Sequence, residues 1–262
     1  MNRAELLQEI IRLGPWHLEI EVESGITTRV GRASCAGSGS AYGDVPFDTP
    51  CSYFQSLLAQ VFPFGLQGRS VLDCACNCGA HLFWAREAGA GRCMGFDVRE
   101  HWIRQARFLQ ARRPETSDMG FEVCDIYDID SLGLGRFDIC IFHGILYHLP
   151  DPIMGLKVVA DRTNELLMIN TATAPGVDDT ALVVGTEDPS WIVSGVYGLN
   201  FRPTGPTVLN RILRWLGFAE TRVVFWETQT PFQPSGWGRL QLLAARNAGF
   251  FQDYDAFMRI HA

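Results

Sequence analysis

Hydrophobic positions along the chain fall into runs of two different periods, and the period changes at Gly and Pro residues. Leu6, Leu7, Ile10 and Ile11 share one face of a helix over Ala4 to Leu13, which Gly14-Pro15 stops. Trp16 to Val22 alternates as an edge strand does, and Ser24-Gly25 offers a turn into a partner at Ile26 to Val30. The Gly-, Ser- and Pro-rich stretch Gly31 to Pro50 predicts a loop, and helix returns at Tyr53 to Val61. Val71, Leu72 and Cys74 then make a short buried strand. Leu82, Phe83, Ala85 and Ala88 follow at near-helical spacing until Gly89 and Gly91, and Cys93 to Phe96 resume a strand that ends on Asp97.

The alternation continues. A helix is expected at Trp102 to Ala111, strands at Phe121 to Cys124 and Phe137 to Phe142, a helix opened by Pro152 and running to Asp161, and a fifth strand at Leu166 to Ile169. Asn170 to Gly205 breaks the rhythm with Pro175, Pro189 and Pro203 among Trp191, Tyr197 and Phe201, so an ordered, loop-rich insertion is expected after strand five. A helix at Pro206 to Leu216 and strands at Glu220 to Trp226 and Arg239 to Ala245 bring the strand count to seven. The tail after Asn247 is aromatic but has no predicted place. Strands alternating with helices over short connections imply an α/β fold with a mostly parallel sheet, and such sheets bind ligands at the carboxyl ends of their strands. Asp97, Asp125 and His143 fall at those ends.

The turn after the first core strand reads Asp73-x-Ala75-x-Asn77-x-Gly79. A strand, tight turn and helix of this kind gather backbone N–H groups around a small anionic group, while a carboxylate at the next strand end, here Asp97, can accept both hydroxyls of a ribose. The glycine spacing of a dinucleotide fingerprint is missing. Asn77 tolerates left-handed backbone, and Ala75 allows close approach if its φ is negative.

Composition narrows the reading further. At 262 residues the chain suits one compact domain, an N-terminal extension and lid over 1–65 packed on a core over 66–262 that carries an acceptor-side insertion at 171–205. A net charge of −7 with one lysine, Lys157, disfavours a nucleic-acid partner. Eight cysteines, most of them in or beside strands, behave as small hydrophobes and point to a reducing, cytoplasmic setting. Cys74, Cys76 and Cys78 form C-x-C-x-C, which is not a zinc-ribbon spacing, so no metal is expected. Glu5 and Glu9 interrupt the first apolar stretch, and no run approaches the ~18 apolar residues of a membrane span.

Three separated segments, VLDCACNCGAHLFWAREAGAGRCMGFD, FDICIFHGILYHLPDP and the insertion leading to LNRILRWLGF, together resemble the class I S-adenosylmethionine (SAM) methyltransferases, in the branch that includes the tRNA wobble-uridine carboxymethyl/methyl transferases. That branch commonly writes Cys-Asn in its cofactor loop, as Cys76-Asn77 does here, and Trp16 to Ile20 resembles its entry strand. The resemblance implies a Rossmann-like seven-stranded fold with SAM as cofactor and S-adenosylhomocysteine (SAH) as product. It places Asp73, Ala75, Asn77 and Gly79 at the methionine part of SAM, Asp97 with Val98 at the ribose, and Asp125 with Ile126 at the adenine. His143, Tyr147 and His148 then line the path to the acceptor. The cations with which wobble-uridine carboxymethyl transferases recognise a carboxylated SAM are not identifiable, which favours plain SAM.

Methyl transfer to a hydroxyl needs alignment, exclusion of water and a base. His143 and His148 are the candidate bases, with Tyr147 as an orienting hydroxyl. Trp16, His17, Trp191, Tyr197, Asn200 and Arg202 are the expected acceptor-side residues. Three functions stay open: a methyltransferase acting on O or N of a small organic acceptor, a tRNA-modifying transferase, and a non-catalytic SAM-binding protein.

Overall fold

A computed structural model describes residues 2–31, 48–176, 178–228 and 237–261. The chain opens with helix α1 (Arg3–Arg12), whose start is fixed by a reciprocal cap: the Asn2 side chain accepts from the Glu5 amide at 3.0 Å, and the Glu5 carboxylate accepts from the Asn2 amide at 2.8 Å. The edge strand expected over Trp16 to Val22 is shorter. Only β1 (Glu21–Glu23) pairs, with β2 (Ile26–Thr27), around Gly25 at φ +72°. The reason lies in Thr28, whose buried hydroxyl accepts from the Ile20 amide at 3.0 Å and donates to the Leu18 carbonyl at 2.7 Å. A side chain thus takes the place of ladder bonds. Of the loop expected over 31–50, residues 32–47 lie outside the described residues, and helix α2 (Asp48–Val61) already covers the last three positions.

The central sheet has seven strands: β3 (Val71–Cys74), β4 (Cys93–Asp97), β5 (Gly120–Val123), β6 (Phe137–His143), β7 (Thr163–Thr173), β10 (Glu220–Glu227) and β11 (Gly238–Ala245), in the order β10-β11-β7-β6-β3-β4-β5. The pairs β3–β6, β6–β7 and β4–β5 are parallel, and β11 runs antiparallel to both β7 and β10. This is the expected mostly parallel α/β sheet. The chain divides into two compact units, one of Met1–Gly68 with Cys76–Cys124 and one of Arg69–Ala75 with Asp125–Ala262.

In the first unit, helices α2, α3 (Ala80–Glu87) and α4 (Glu100–Gln110) accompany β4 and β5. Every residue of β4 is buried, as its unbroken apolar run required. Glycine at 95 is obligatory there, because a Cβ would stand 2.8 Å from both the Cys76 sulfur and a Leu82 methyl.

In the second unit, β6 and β7 form the core, with Ile139 to Phe142 and Leu166 to Ile169 at 0–1% exposure. Burying each such side chain is worth roughly 1.5–3 kcal/mol, which makes this pair the main anchor of the unit. Helix α5 (Pro152–Ala160) starts where Pro152 predicts, with the Asp151 side chain accepting from the Met154 amide at 3.0 Å. The insertion is more regular than its sequence suggests: β7 continues to Thr173, and β8 (Leu182–Thr186) pairs antiparallel with β9 (Leu199–Pro203) as a separate hairpin. Helix α6 (Pro206–Trp215) follows. The tail is helix α7 (Gln252–His261), docked through buried Phe251 and Tyr254 and a two-pronged pairing of the Arg222 guanidinium with Asp255 at 2.7 and 2.9 Å.

Candidate functional site

Each unit gathers its own polar residues at strand ends. In the first unit, the turn before α3 is built on left-handed backbone, with Asn77 at φ +52° and Gly79 at φ +80°. The Asn77 side chain accepts from the Cys78 amide at 2.8 Å, which lets a non-glycine hold this conformation. At Gly79 no side chain fits: a Cβ would lie 2.6 Å from the Phe121 ring. Asp97, 6% exposed, accepts from the Asn77 amide at 3.1 Å on one oxygen and from the Arg99 amide at 3.0 Å on the other. Two backbone N–H groups therefore fix the plane of this carboxylate, and a carboxylate has acceptor capacity for about four bonds. Val98 beside it is 41% exposed.

Trp16 belongs to the core of the same unit. It is 3% exposed, its indole N–H donates to the Ile10 carbonyl at 2.7 Å, and its ring lies 6.2 Å from Phe108. Packing accounts for its presence. His17 next to it is exposed.

In the second unit, Asp73 is buried at the end of β3, and Ala75 after it has φ +58°. The condition of a negative φ at Ala75 is not met: an alanine occupies a left-handed position that costs an L-residue about 1–2 kcal/mol. Asp125 caps the short 3-10 turn over 126–132, accepting from the Tyr127 amide at 3.0 Å, and Ile126 is buried beneath it. Tyr197 from the insertion donates its hydroxyl to the other Asp125 oxygen and sets its ring 6.0 Å from Tyr127. Burial first, and the Asp125 carboxylate second, push the Tyr197 hydroxyl well above the usual phenol range. Tyr197 is therefore a neutral donor bound to the acid that follows β5. Trp191, in the same insertion, is 55% exposed.

His143 ends β6. Its Nε2 lies 3.2 Å from the side-chain nitrogen of fully buried Gln241, whose oxygen accepts from the Asn170 side chain at 2.9 Å. Asn170 is the β7 partner of both His143 and Gln241, so the three side chains form a chain across β6, β7 and β11. With the Gln241 amide donating, His143 Nε2 is an acceptor and a neutral ring carries its proton on Nδ1. His148 differs. Its Nδ1 stands 2.7 Å from Glu187 Oε2, the two side chains being 17% and 11% exposed. Tyr147 stacks on the His148 ring at 4.1 Å, and the Arg239 guanidinium lies over Tyr147 at 5.7 Å. Glu187, just past β8, carried no sequence signal, being one acid in an irregular segment without a motif.

Gly195 closes over this pair. Its amide points at His148 Nδ1 from 3.0 Å, and a Cβ there would fall 2.4 Å from Glu187 Oε1 and 2.7 Å from the His148 Cβ. Asn200 is 2% exposed on β9 and Arg202 is half-buried two residues on, so they share one face of that strand. Among the described residues, no group of three or more His, Cys, Asp or Glu side chains is placed to hold a metal ion. Cys74, Cys76 and Cys78 are buried, and burial holds the Cys74 thiol well above its ordinary value. Cys74, Cys76, Cys78, Cys93, Cys124 and Cys140 are free of disulfides, and no described helix is long and apolar enough to cross a membrane.

With this geometry in view, the chain can be set beside known proteins. Residues 66–172 match the family described as a methyltransferase domain. Two curated relatives are named tRNA U34 carboxymethyltransferase: one from Campylobacter hominis, 29% identical over 147 residues (55% of this chain and 49% of the relative), and one from Aliarcobacter butzleri, 28% identical over 163 residues (62% and 51%). The chain spans about half the length of these relatives. Among solved structures, the N-terminal domain of EvdMO1 with SAH bound superposes with a TM-score of 0.72 at 20% identity, covering 94% of this chain and 98% of that one. Magnesium protoporphyrin IX methyltransferase from Synechocystis PCC 6803 with bound SAM gives 0.54 at 19% identity, covering 79% and 88%. Residues 66–172 are similar to a methyltransferase domain, and the chain shares the fold of these SAH- and SAM-bound proteins.

Proposed function

We propose that the chain is a class I SAM-dependent methyltransferase that transfers the methyl group to a hydroxyl oxygen of an organic acceptor, with His148 as base and Glu187 as the group that orients it. The observation that carries this reading is the 2.7 Å approach of His148 Nδ1 to the Glu187 carboxylate. The Glu187 carboxylate and the Gly195 amide compete for Nδ1; the carboxylate favours the tautomer with its proton there, in which the amide makes no bond to that nitrogen and Nε2 keeps its lone pair. A base in this tautomer is suited to take a hydroxyl proton. His143, whose Nε2 is occupied by Gln241, fits a positioning role instead.

The residues present fit the cofactor. The left-handed backbone at Asn77 and Gly79 supports a close approach to the turn before α3, and the pinned Asp97 carboxylate suits a pair of ribose hydroxyls. SAM supplies an electrophilic methyl group on a sulfonium and leaves as SAH. The protein aligns the acceptor oxygen and receives its proton at His148 Nε2.

For the acceptor, the insertion residues Trp191, Asn200 and Arg202 favour a compact organic molecule, since small-molecule sites combine apolar surface with a few orienting groups. The name shared by the curated relatives supports a second reading, transfer to the wobble uridine of tRNA. The net charge of −7 opposes it. Incubation with methyl-labelled SAM and either a hydroxylated metabolite extract or total tRNA separates them. Label in a base-stable ether of a small molecule supports the first reading, label in tRNA the second, and no transfer to either overturns both.

A further inference from the structure

Arg202 is a half-buried cation with no carboxylate in ion-pairing distance among the described residues. The face of its guanidinium lies 4.1 Å over the Trp237 ring, and its Nε is buried without a hydrogen-bond partner. Stacking satisfies the face of a guanidinium but leaves its in-plane N–H groups needing acceptors. Burial pulls its pKa below the ordinary arginine value, with no anion to offset it.

On the same face of β9, two residues away, Asn200 donates to the Thr186 carbonyl at 3.3 Å while its Oδ1 is buried without a partner. Gly185, paired with Asn200 across the hairpin, lets both side chains pack close to the β8 backbone. A Cβ at 185 would stand 2.4 Å from Asn200 Oδ1 and 3.3 Å from an Arg202 Nη. An unpaired cation and an orphan acceptor side by side call for a ligand that offers an anion and a hydroxyl together. The hairpin also ties this spot to the proposed base: Glu187 directly follows β8, and β9 packs against the turn 146–148 that carries His148.

We propose that Arg202, with Asn200 beside it and Trp237 behind it, binds an oxyanion of the acceptor, so that the substrate is a hydroxylated organic acid or phosphate ester and not a neutral alcohol. This rests on the methyltransferase reading, but the oxyanion site is testable without turnover. Titration of the full chain with D-glucuronate, inorganic phosphate and D-glucose, followed by ligand-observed NMR, reads it directly. The wild-type protein should bind both anions at concentrations below about 10 mM. Arg202→Gln should weaken both about tenfold or more, and Arg202→Lys should keep part of the phosphate affinity while losing the two-pronged carboxylate contact. Binding of D-glucose should be indifferent to either substitution. Circular dichroism confirms that each variant is folded, and SAM affinity should be unchanged in both. Equal anion binding by wild type and folded Arg202→Gln, or no anion binding by the wild type, overturns the proposal. Loss of the methyltransferase reading would instead appear as absent label transfer with the anion titrations intact.

Discussion

His148 and Glu187 stand 39 positions apart in sequence and 2.7 Å apart in the structure, with Gly195 seated against both. The absence of a side chain at 195 is what lets the insertion close on the pair. Gly195→Ala should displace the imidazole or the carboxylate, because the added Cβ would also stand 2.9 Å from the His148 carbonyl, which cannot swing away. A displacement near 1 Å at a reacting group costs about a hundredfold in rate. Measured turnover should fall by roughly that factor, with SAM affinity retained.

The cofactor loop offers a test of stability. Ala75 and Asn77 occupy left-handed positions, which favour glycine. Ala75→Gly relieves about 1–2 kcal/mol of backbone strain and returns roughly 0.4–1 kcal/mol through the looser unfolded chain. The variant should be more stable by about 0.5–1 kcal/mol, seen as a higher denaturation midpoint at unchanged slope.

Asp97→Ala should abolish most SAM affinity. Two charge-assisted bonds to a ribose are each worth about 1.5–3 kcal/mol, so a loss of a hundredfold or more is expected by calorimetry. The same change also frees the Asn77 and Arg99 amides, so the melting temperature should drop as well. A folded variant with wild-type affinity would remove Asp97 from the site.

Asp138 couples β6 to the entry of β3 and gives a pH signature. Partial burial opposes its ionisation, but the amide and hydroxyl of Ser70, each 2.8 Å from the carboxylate, outweigh that and lower its pKa. A carboxyl with a lowered folded pKa stabilises the fold above its unfolded value near 3.8, and that contribution disappears as pH falls through the lower folded value. Solvent screening limits the effect to about 1 kcal/mol. Asp138→Asn should therefore be less stable than wild type at pH 7, and the gap should close below the ordinary aspartate range.

The core strands were legible because Val71 to Cys74, Cys93 to Phe96 and Phe137 to Phe142 are apolar runs broken only by Asp73 and Asp138, and buried parallel strands require near-continuous runs of this kind. Alternation misled at Trp16 to Val22, where the Thr28 hydroxyl and the Trp16 anchor replace strand pairing. The hairpin β8–β9 was hidden because Val183 and Val184 are adjacent apolar residues that are both exposed, a pattern with no period of two. Asp97 could be read from its place after a strand. Glu187 could not, since nothing local distinguishes it from Asp188, and only the folding back of the insertion brings it to His148. The tail was unreadable for a similar reason: Arg222 and Asp255, 33 residues apart, meet only in three dimensions.

Proton removal by His148 is tested most directly by transfer of label from methyl-labelled SAM, with hydroxylated metabolite extract as acceptor, by wild type, His148→Asn and Glu187→Gln, each with SAM affinity measured in parallel. His148→Asn should reduce transfer by about 10²–10⁴-fold and Glu187→Gln by a smaller factor, with SAM affinity unchanged in both. Wild-type transfer rates in a folded His148→Asn protein would contradict that role.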